Sequence, residues 1–214
     1  MKKFIGITFI GLAIGSAAMS QENLSFGGTA GFGHTWLSNS ENAKYQPSGN
    51  LGLTMIYSTE SNWGFGADVK WSIEGGKEKD NSTTFTSKLN YVRVPVRAIY
   101  FFGERGQSIR PKVSLGPSVG VLIGGKREIK NNSTGSITKL KAKDYAKQAD
   151  FGLNASAGLN YHLVEDIWLN LDLNYYHGLT NVWESSLANQ KNRNLGINVG
   201  VTFGIGKVTK SEIQ

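Results

Sequence analysis

The segment Trp63–Ile73, WGFGADVKWSI, alternates without a break between large apolar residues and small or polar ones. As a β-strand it would carry the apolar side chains on one face and Gly, Asp, Lys and Ser on the other. The segment Asn194–Ile205 repeats this pattern, with Leu, Ile, Val and Phe against Asn, Gly and Thr. A soluble barrel would bury its apolar face and display a strongly charged one, but here the polar face is small and sparsely charged. The pattern therefore predicts strands whose apolar side chains face lipid.

Further segments with this alternation give eight predicted strands, at Leu24–Trp36, Gly49–Ser58, Trp63–Ile73, Phe85–Tyr100, Arg110–Gly124, Asp150–His162, Ile167–His177 and Asn194–Ile205. Short turns at 59–62 and 163–166 contrast with long polar stretches at 37–48, 74–84, 125–149 and 178–193. Bacterial outer-membrane barrels have an even number of antiparallel strands, short periplasmic turns and long outer loops. We therefore predict an all-β fold, an eight-stranded antiparallel transmembrane β-barrel of up-and-down meander topology, with both termini in the periplasm.

The first 20 residues have the features of a secretory signal peptide. Lys2 and Lys3 precede an apolar run from Phe4 to Ala18, and small residues lie before Gln21. This run is shorter than the roughly 20 apolar residues that a membrane-spanning helix needs. We expect cleavage of residues 1–20 on export and one barrel domain at 21–214 in the bacterial outer membrane. The chain has no cysteine, which excludes disulfides and a lipid-modified cysteine.

Two compositional features bear on the shape of the barrel. Aromatic residues such as Trp36, Trp63 and Tyr100 gather near predicted strand ends, which favours interfacial aromatic girdles over a general preference of aromatics for strands. Glycine is frequent, with 27 residues, and falls largely on the predicted inward face. An eight-stranded barrel has an interior that side chains just fill, so we expect a plugged barrel and not a general porin.

Period-two parity places several polar and ionisable residues on the inward face, namely Asp68, Lys70, Arg93, Arg97, Lys112, Asn154, Asp172 and Asn174. An unpaired ion in a low-dielectric interior costs several kcal/mol, so these charges should pair. We predict a lumenal ion network centred on Arg93 and Arg97, with Asp68 and Asp172 as acceptors. The network either plugs and stiffens the barrel or lines a narrow selective path, and we favour the plug.

The net charge of the chain concentrates in one predicted outer loop. Of the formal +7, two units belong to Lys2 and Lys3. Residues 125–149 contain two acidic residues and seven basic ones, Lys126, Arg127, Lys130, Lys139, Lys141, Lys143 and Lys147. This basic extracellular loop is either a solvated mobile loop or a site for lipopolysaccharide phosphates or an acidic surface partner. Nucleic acid is a poor candidate partner behind a signal peptide.

Four short segments resemble the outer-membrane β-barrel domain of PorT-like proteins from Bacteroidota. They are Tyr91–Arg97 (YVRVPVR), Leu115–Gly120 (LGPSVG), Tyr175–Asn181 (YYHGLTN) and Gly196–Val201 (GINVGV). The resemblance covers essentially the whole mature chain. It implies an integral outer-membrane barrel, usually without an assigned activity, in a family of which PorT itself is tied to type IX secretion.

The histidines provide no catalytic or metal-binding constellation. His34 and His177 are predicted at the outer rim facing outward, and His162 at the periplasmic end facing inward, so they do not converge. A lipid A deacylase would need a serine two residues after His177, where this chain has Leu179, although Thr180 and Glu184 follow. We therefore expect no enzyme activity, cofactor or metal. The expected function is a structural or interaction role with lipid, lipopolysaccharide or a secretion-system partner, and the alternatives are a lipid A-modifying enzyme and a narrow pore.

Overall fold

The computed structural model describes residues 24–40, 42–104, 106–184 and 189–205. Its strands are β1 (Leu24–Leu37), β2 (Ala43–Lys44), β3 (Pro47–Ser58), β4 (Trp63–Lys79), β5 (Thr83–Phe101), β6 (Ile109–Asn131), β7 (Ile137–Lys141), β8 (Ala149–Val164), β9 (Ile167–Gly178) and β10 (Asn192–Ile205). A single 3-10 turn, Ala142–Asp144, follows β7. The expected signal peptide at 1–20 lies outside the described residues. Within the described ranges, no helix is both long enough and apolar enough to cross a membrane.

Eight long strands form a closed antiparallel barrel. Each of β1, β3, β4, β5, β6, β8, β9 and β10 pairs with the next, and β1 pairs with β10 from Leu24 opposite Ile205 to Leu37 opposite Asn192. The termini of the barrel lie at the same end as the turns 59–62, 102–108 and 165–166, which is the short-turn end. The longer connections lie at the other end, the outer end. The predicted eight-stranded meander barrel is thus confirmed, with two short strands added at its outer end.

The apolar face of each strand points away from the barrel. Phe65, Val69 and Val199 are 56%, 54% and 43% exposed, whereas Asp68 and Lys70 are 3% and 6% exposed. Successive side chains of a strand point to opposite faces, so the alternation in the sequence becomes an apolar outer wall and a polar lumen. This inside-out distribution is stable only where the outer wall contacts lipid.

Aromatic side chains cluster at both ends of the outer wall. At the short-turn end, the ring centroids of Trp63 and Tyr100 lie 5.2 Å apart in an edge-to-face arrangement. At the opposite end, His34 stacks on Trp36 at 5.1 Å and on Tyr45 at 4.9 Å. Amphipathic rings at these two levels are typical of the interfaces between the hydrocarbon layer and water.

Three strands continue beyond the predicted ends at the outer side of the barrel. The predicted loops at 74–84 and 125–149 were wrong, because β4 and β5 form a hairpin that turns only at residues 80–82, and β6 continues to Asn131 and folds back as β7. Above the barrel, β2, β4, β5, β6 and β7 form one outer sheet. Both faces of this sheet meet water or loops, so its strands lack the apolar alternation that marks the membrane-spanning part.

Two apolar clusters close the ends of the lumen. At the short-turn end, Ile56, Ile99 and Phe101 are almost fully buried. At the outer end, inward residues of the strands pack against the segments that precede β8 and β10, forming a cluster of Leu37, Leu89, Tyr91, Leu122, Ala142, Ala146, Val182 and Trp183. The polar lumen therefore lies between an apolar layer on each side.

Candidate functional site

The half of the lumen nearer the short turns contains three ion pairs, two of which share Asp68. Asp68 accepts hydrogen bonds from Arg97 at 2.7 Å and from the Thr54 hydroxyl at 2.7 Å, and its second oxygen lies 3.3 Å from the Lys70 ammonium. Lys112 lies 3.0 Å from an Asp172 carboxylate oxygen. All these groups are at least nine-tenths buried, so each charge depends on its partner.

The upper half of the lumen is organised around Arg93. Its guanidinium donates to both oxygens of Glu74 at 2.6 Å and to Asp150 at 2.7 Å. The guanidinium carbon also lies 3.9 Å from the ring centroid of Tyr176, whose hydroxyl donates to Asp150 at 2.9 Å. Asp150 accepts further hydrogen bonds from Asn192 at 3.1 Å and from the Thr180 hydroxyl at 2.8 Å.

The structure brings the predicted lumenal residues together, but two of the predicted pairings differ. Arg97 pairs with Asp68 as expected, whereas Asp172 pairs with Lys112 and not with either arginine. Arg93 pairs with Glu74 and Asp150, which the sequence analysis did not include as acceptors. Both carry inward parity in their strands. Glu74 lies an even number of residues after Asp68 on the same strand and therefore also faces the lumen. The predicted strand ended at Ile73, one residue before it.

The lumen is filled by these side chains. The two cavities between the clusters measure about 20 and 30 Å³, room for only one or two water molecules each. The two clusters together hold four carboxylates and four basic groups, so their charges balance. Gly120 provides the space for Arg93, because a Cβ atom at position 120 would lie 3.1 Å from the guanidinium carbon.

Outside the barrel, three lysines form a row across the outer sheet. In the strand register, Lys126 of β6 stands directly opposite Lys88 of β5 on one side and Lys141 of β7 on the other. Glu128 pairs with Lys126 at 2.9 Å. This hydrogen bond, against the opposing effect of burial and with the charges of Lys126, Lys139 and Lys88, holds the pKa of Glu128 below its ordinary value. One carboxylate thus shares a patch with several ammonium groups.

The basic residues predicted as one loop divide into two groups. Lys126, Lys130, Lys139, Lys141, Lys143 and Lys147 are exposed, the first four of them on the β6–β7 hairpin. Arg127 does not belong to this solvated set, because it points to the other face of β6. Its guanidinium carbon lies 5.0 Å from the Trp183 ring centroid and 5.3 Å from that of Phe85.

The residues considered for lipid A hydrolysis do not assemble. His177 contacts Arg193 at 3.1 Å and the Tyr175 hydroxyl at 3.4 Å, with no hydroxyl nucleophile and carboxylate arranged beside it among the described residues. The Thr180 hydroxyl donates to the buried Asp150, and Glu184 lines a separate outer cavity. In the part of the chain that the structure describes, no group of three or more histidine, cysteine or acidic side chains could hold a metal ion.

Comparison with known proteins gives a family and a fold. The sequence profile described as outer membrane protein beta-barrel domain matches residues 19–184. No curated protein sequence matches the chain. The crystal structure of OprG from Pseudomonas aeruginosa is similar, with 14% identity, a TM-score of 0.52, and coverage of 90% of this chain and 100% of that one. The solution structure of E. coli outer membrane protein W has 12% identity, a TM-score of 0.50, and coverage of 87% and 99%.

Proposed function

The chain belongs to the family of outer membrane protein β-barrel domains, and from this premise we propose that it is a non-conducting barrel with a structural or interaction role at the bacterial cell surface. The observation that carries the proposal is the filled lumen. Among the described residues, cavities of only about 20 and 30 Å³ lie between the two apolar clusters, which supports a barrel without a continuous path for a solute. Recognition is then left to the outer sheet and loops.

Single-channel recording in planar bilayers tests this proposal. We expect a flat baseline from the purified protein, with a bacterial porin in the same bilayer as the positive control. A matched variant, Ile99→Gly with Phe101→Gly, removes two of the three apolar side chains at the short-turn end and should still show no steps, because the ion clusters remain. Reproducible conductance steps from the unaltered protein would overturn the proposal and favour the narrow selective pore.

We further propose that the lysine row holds the phosphates of outer-leaflet lipid, above all lipopolysaccharide. Like charges directly opposite in a sheet destabilise it, and a bound anion would remove this repulsion. Lys88 and Lys126 lie on β5 and β6, which rise from the membrane-spanning barrel, and Lys141 lies beside them on β7. In this position the row would meet the headgroups of outer-leaflet lipid.

Retention of lipid A by the detergent-solubilised protein, compared with retention of zwitterionic phosphatidylcholine, tests this interaction through the outer sheet. Lys88→Gln with Lys126→Gln should reduce retention of lipid A by detergent-solubilised protein, and added salt should do the same. Lys143→Gln with Lys147→Gln, which removes an equal charge outside the row, is the control. Equal retention of lipid A by the double variant and the unaltered protein would contradict the proposal.

Two further properties are proposed, a narrower family and the removal of a signal peptide. We infer a PorT-like, secretion-associated role from the resemblance of Tyr91–Arg97 and the related motifs, and we infer removal of residues 1–20 on export. Co-purification from native outer membranes, with the affinity tag kept out of the outer loops, should recover secretion-system components. N-terminal sequencing should begin at Gln21. Recovery of the barrel alone, or a mature chain that begins at Met1, would contradict the respective inference.

We propose no catalytic activity. The support is the arrangement around His177, where an arginine and a tyrosine stand in place of a nucleophile and an acid. Mass spectrometry of lipid A from cells with and without the gene should show identical acylation. A loss of one acyl chain only in cells that carry the gene would establish the enzyme instead.

A further inference from the structure

The outer end of the protein contains a cavity far larger than the described voids of the lumen. It measures about 550 Å³, within the range of small-molecule sites. Four parts of the chain contribute to its wall: the end of β4, the extended part of β6, the 3-10 turn with Tyr145 after it, and Trp183, Glu184 and Gln190. The lining residues are Glu78, Arg127, Asp144, Tyr145, Trp183, Glu184 and Gln190.

The wall of this outer cavity is held by specific contacts. Ala146 and Trp183 form a β-bridge, and the Glu184 backbone N–H donates to the Tyr145 carbonyl at 3.0 Å. The Trp183 indole N–H donates to Gln190 at 2.7 Å, and the Gln190 amide donates to Glu78 at 2.7 Å. Trp183 also belongs to the apolar cluster that closes the lumen. These contacts fix the positions of the lining residues, so the cavity is a defined feature of the fold.

The charged groups of the outer cavity have both signs and do not neutralise one another. Among the described residues, none of Glu78, Asp144 and Glu184 forms an ion pair. Arg127 is stacked on Trp183, and its buried Nε has no hydrogen-bond partner. Three carboxylates and one guanidinium leave the lining with an excess of two negative charges. A ligand with one anionic group and more than one cationic group would complement it.

We propose that the outer cavity binds a short peptide with free termini and a basic side chain. The ligand carboxylate would pair with Arg127, whose fork of donors matches a carboxylate. The ligand ammonium groups would lie among the carboxylates, and its apolar part would lie on Tyr145, which is 42% exposed. This inference goes beyond the proposed function and does not depend on lipid binding by the lysine row.

Calorimetric titration of the full-length protein in detergent with the dipeptide lysylphenylalanine tests the inference. Two chemically blocked forms of the dipeptide, the N-acetylated form and the C-terminal amide, each remove one terminal charge. We expect each blocked form to bind at least about tenfold more weakly, the order of one charge-assisted hydrogen bond. No binding of the free dipeptide, or equal binding of all three forms, would overturn the proposal.

Variants then assign each terminus to its partner. Arg127→Gln should abolish the preference for the free carboxylate over the amide while leaving the preference for the free ammonium. Asp144→Asn with Glu184→Gln should abolish the preference for the free ammonium while leaving the preference for the free carboxylate. Arg127→Lys keeps the charge without the forked donors. Its preference for the free carboxylate should lie between those of the unaltered protein and Arg127→Gln. If both preferences survive in Arg127→Gln and in the double variant, the peptide binds elsewhere and the assignment is wrong.

Two controls separate this test from the other claims. Glu128→Gln removes a carboxylate on the same hairpin but outside the outer cavity, and it should bind the dipeptide as the unaltered protein does. Lys88→Gln with Lys126→Gln should lose lipid A retention while keeping dipeptide binding. Failure of the lipid proposal and failure of the peptide proposal are thereby distinguished.

Discussion

Replacement of Arg93 by methionine tests the ion network inside the barrel. The methionine side chain is flexible and apolar but shorter, with no charge and no hydrogen-bond donors. The Arg93→Met change removes the two 2.6 Å contacts to Glu74 and the 2.7 Å contact to Asp150. It leaves two carboxylates in the lumen without their cation, both of them 2% exposed.

The expected cost follows from that burial. Removal of one member of a buried charge pair typically destabilises a protein by about 3 to 5 kcal/mol, because the remaining charge stays desolvated. We expect Arg93→Met to lie in this range. Glu74→Gln in the same background removes one of the two unpaired charges, so the double variant should be less destabilised than the sum of the single variants, by up to about 3 kcal/mol.

Equilibrium unfolding in urea, with the protein folded into lipid vesicles and followed by tryptophan fluorescence, measures these differences. Lys130→Met, which removes an exposed charge from the outer hairpin, is the control and should change stability by no more than about 0.5 kcal/mol. A cost below about 1 kcal/mol for Arg93→Met, or strict additivity with Glu74→Gln, would refute the network as described.

Two further predictions concern the groups around this network. Gly120→Val should push the Arg93 guanidinium out of position and destabilise the barrel by about 1–3 kcal/mol in the same unfolding assay, because the lumen has no room for a larger side chain. Gly28→Ala, where an added Cβ would meet no atom within 4 Å, should be close to neutral. Asp150→Asn should weaken the hydrogen bond from Thr180 and accelerate limited proteolysis between β9 and β10 severalfold; an unchanged cleavage rate would show that Asp150 does not hold this segment.

The membrane-spanning part of the fold followed from one property of the sequence. A strand places alternate side chains on opposite faces, so Phe65 and Asp68 could be assigned to opposite sides without knowledge of their neighbours. The assignment of Arg97 to the lumen followed from the same parity. Its pairing with Asp68 required only that the two inward charges lie on adjacent strands at similar heights.

The outer part of the molecule could not be predicted in the same way. Above the membrane neither face of a strand must be apolar, so the continuation of β4 past Ile73 has no periodic signal, and Glu74 was therefore assigned to a loop. The outer cavity depends on four segments that are distant in the sequence. The position of Arg127 between Phe85 and Trp183 is a consequence of tertiary packing, which turned one residue of a basic run away from its neighbours.

The central claim is that the apolar wall contacts acyl chains while the polar lumen is sealed from them. Because the natural chain has no cysteine, a spin label can be attached at a single introduced one. Labels at Val69→Cys and Val199→Cys in lipid bilayers should be readily relaxed by oxygen dissolved in the hydrocarbon layer and shielded from a water-soluble nickel chelate. The buried Ser118→Cys, facing the lumen, should resist labelling by a bulky reagent. Efficient labelling at Ser118→Cys with strong nickel relaxation, or oxygen-insensitive labels at Val69→Cys and Val199→Cys, would contradict the inside-out barrel.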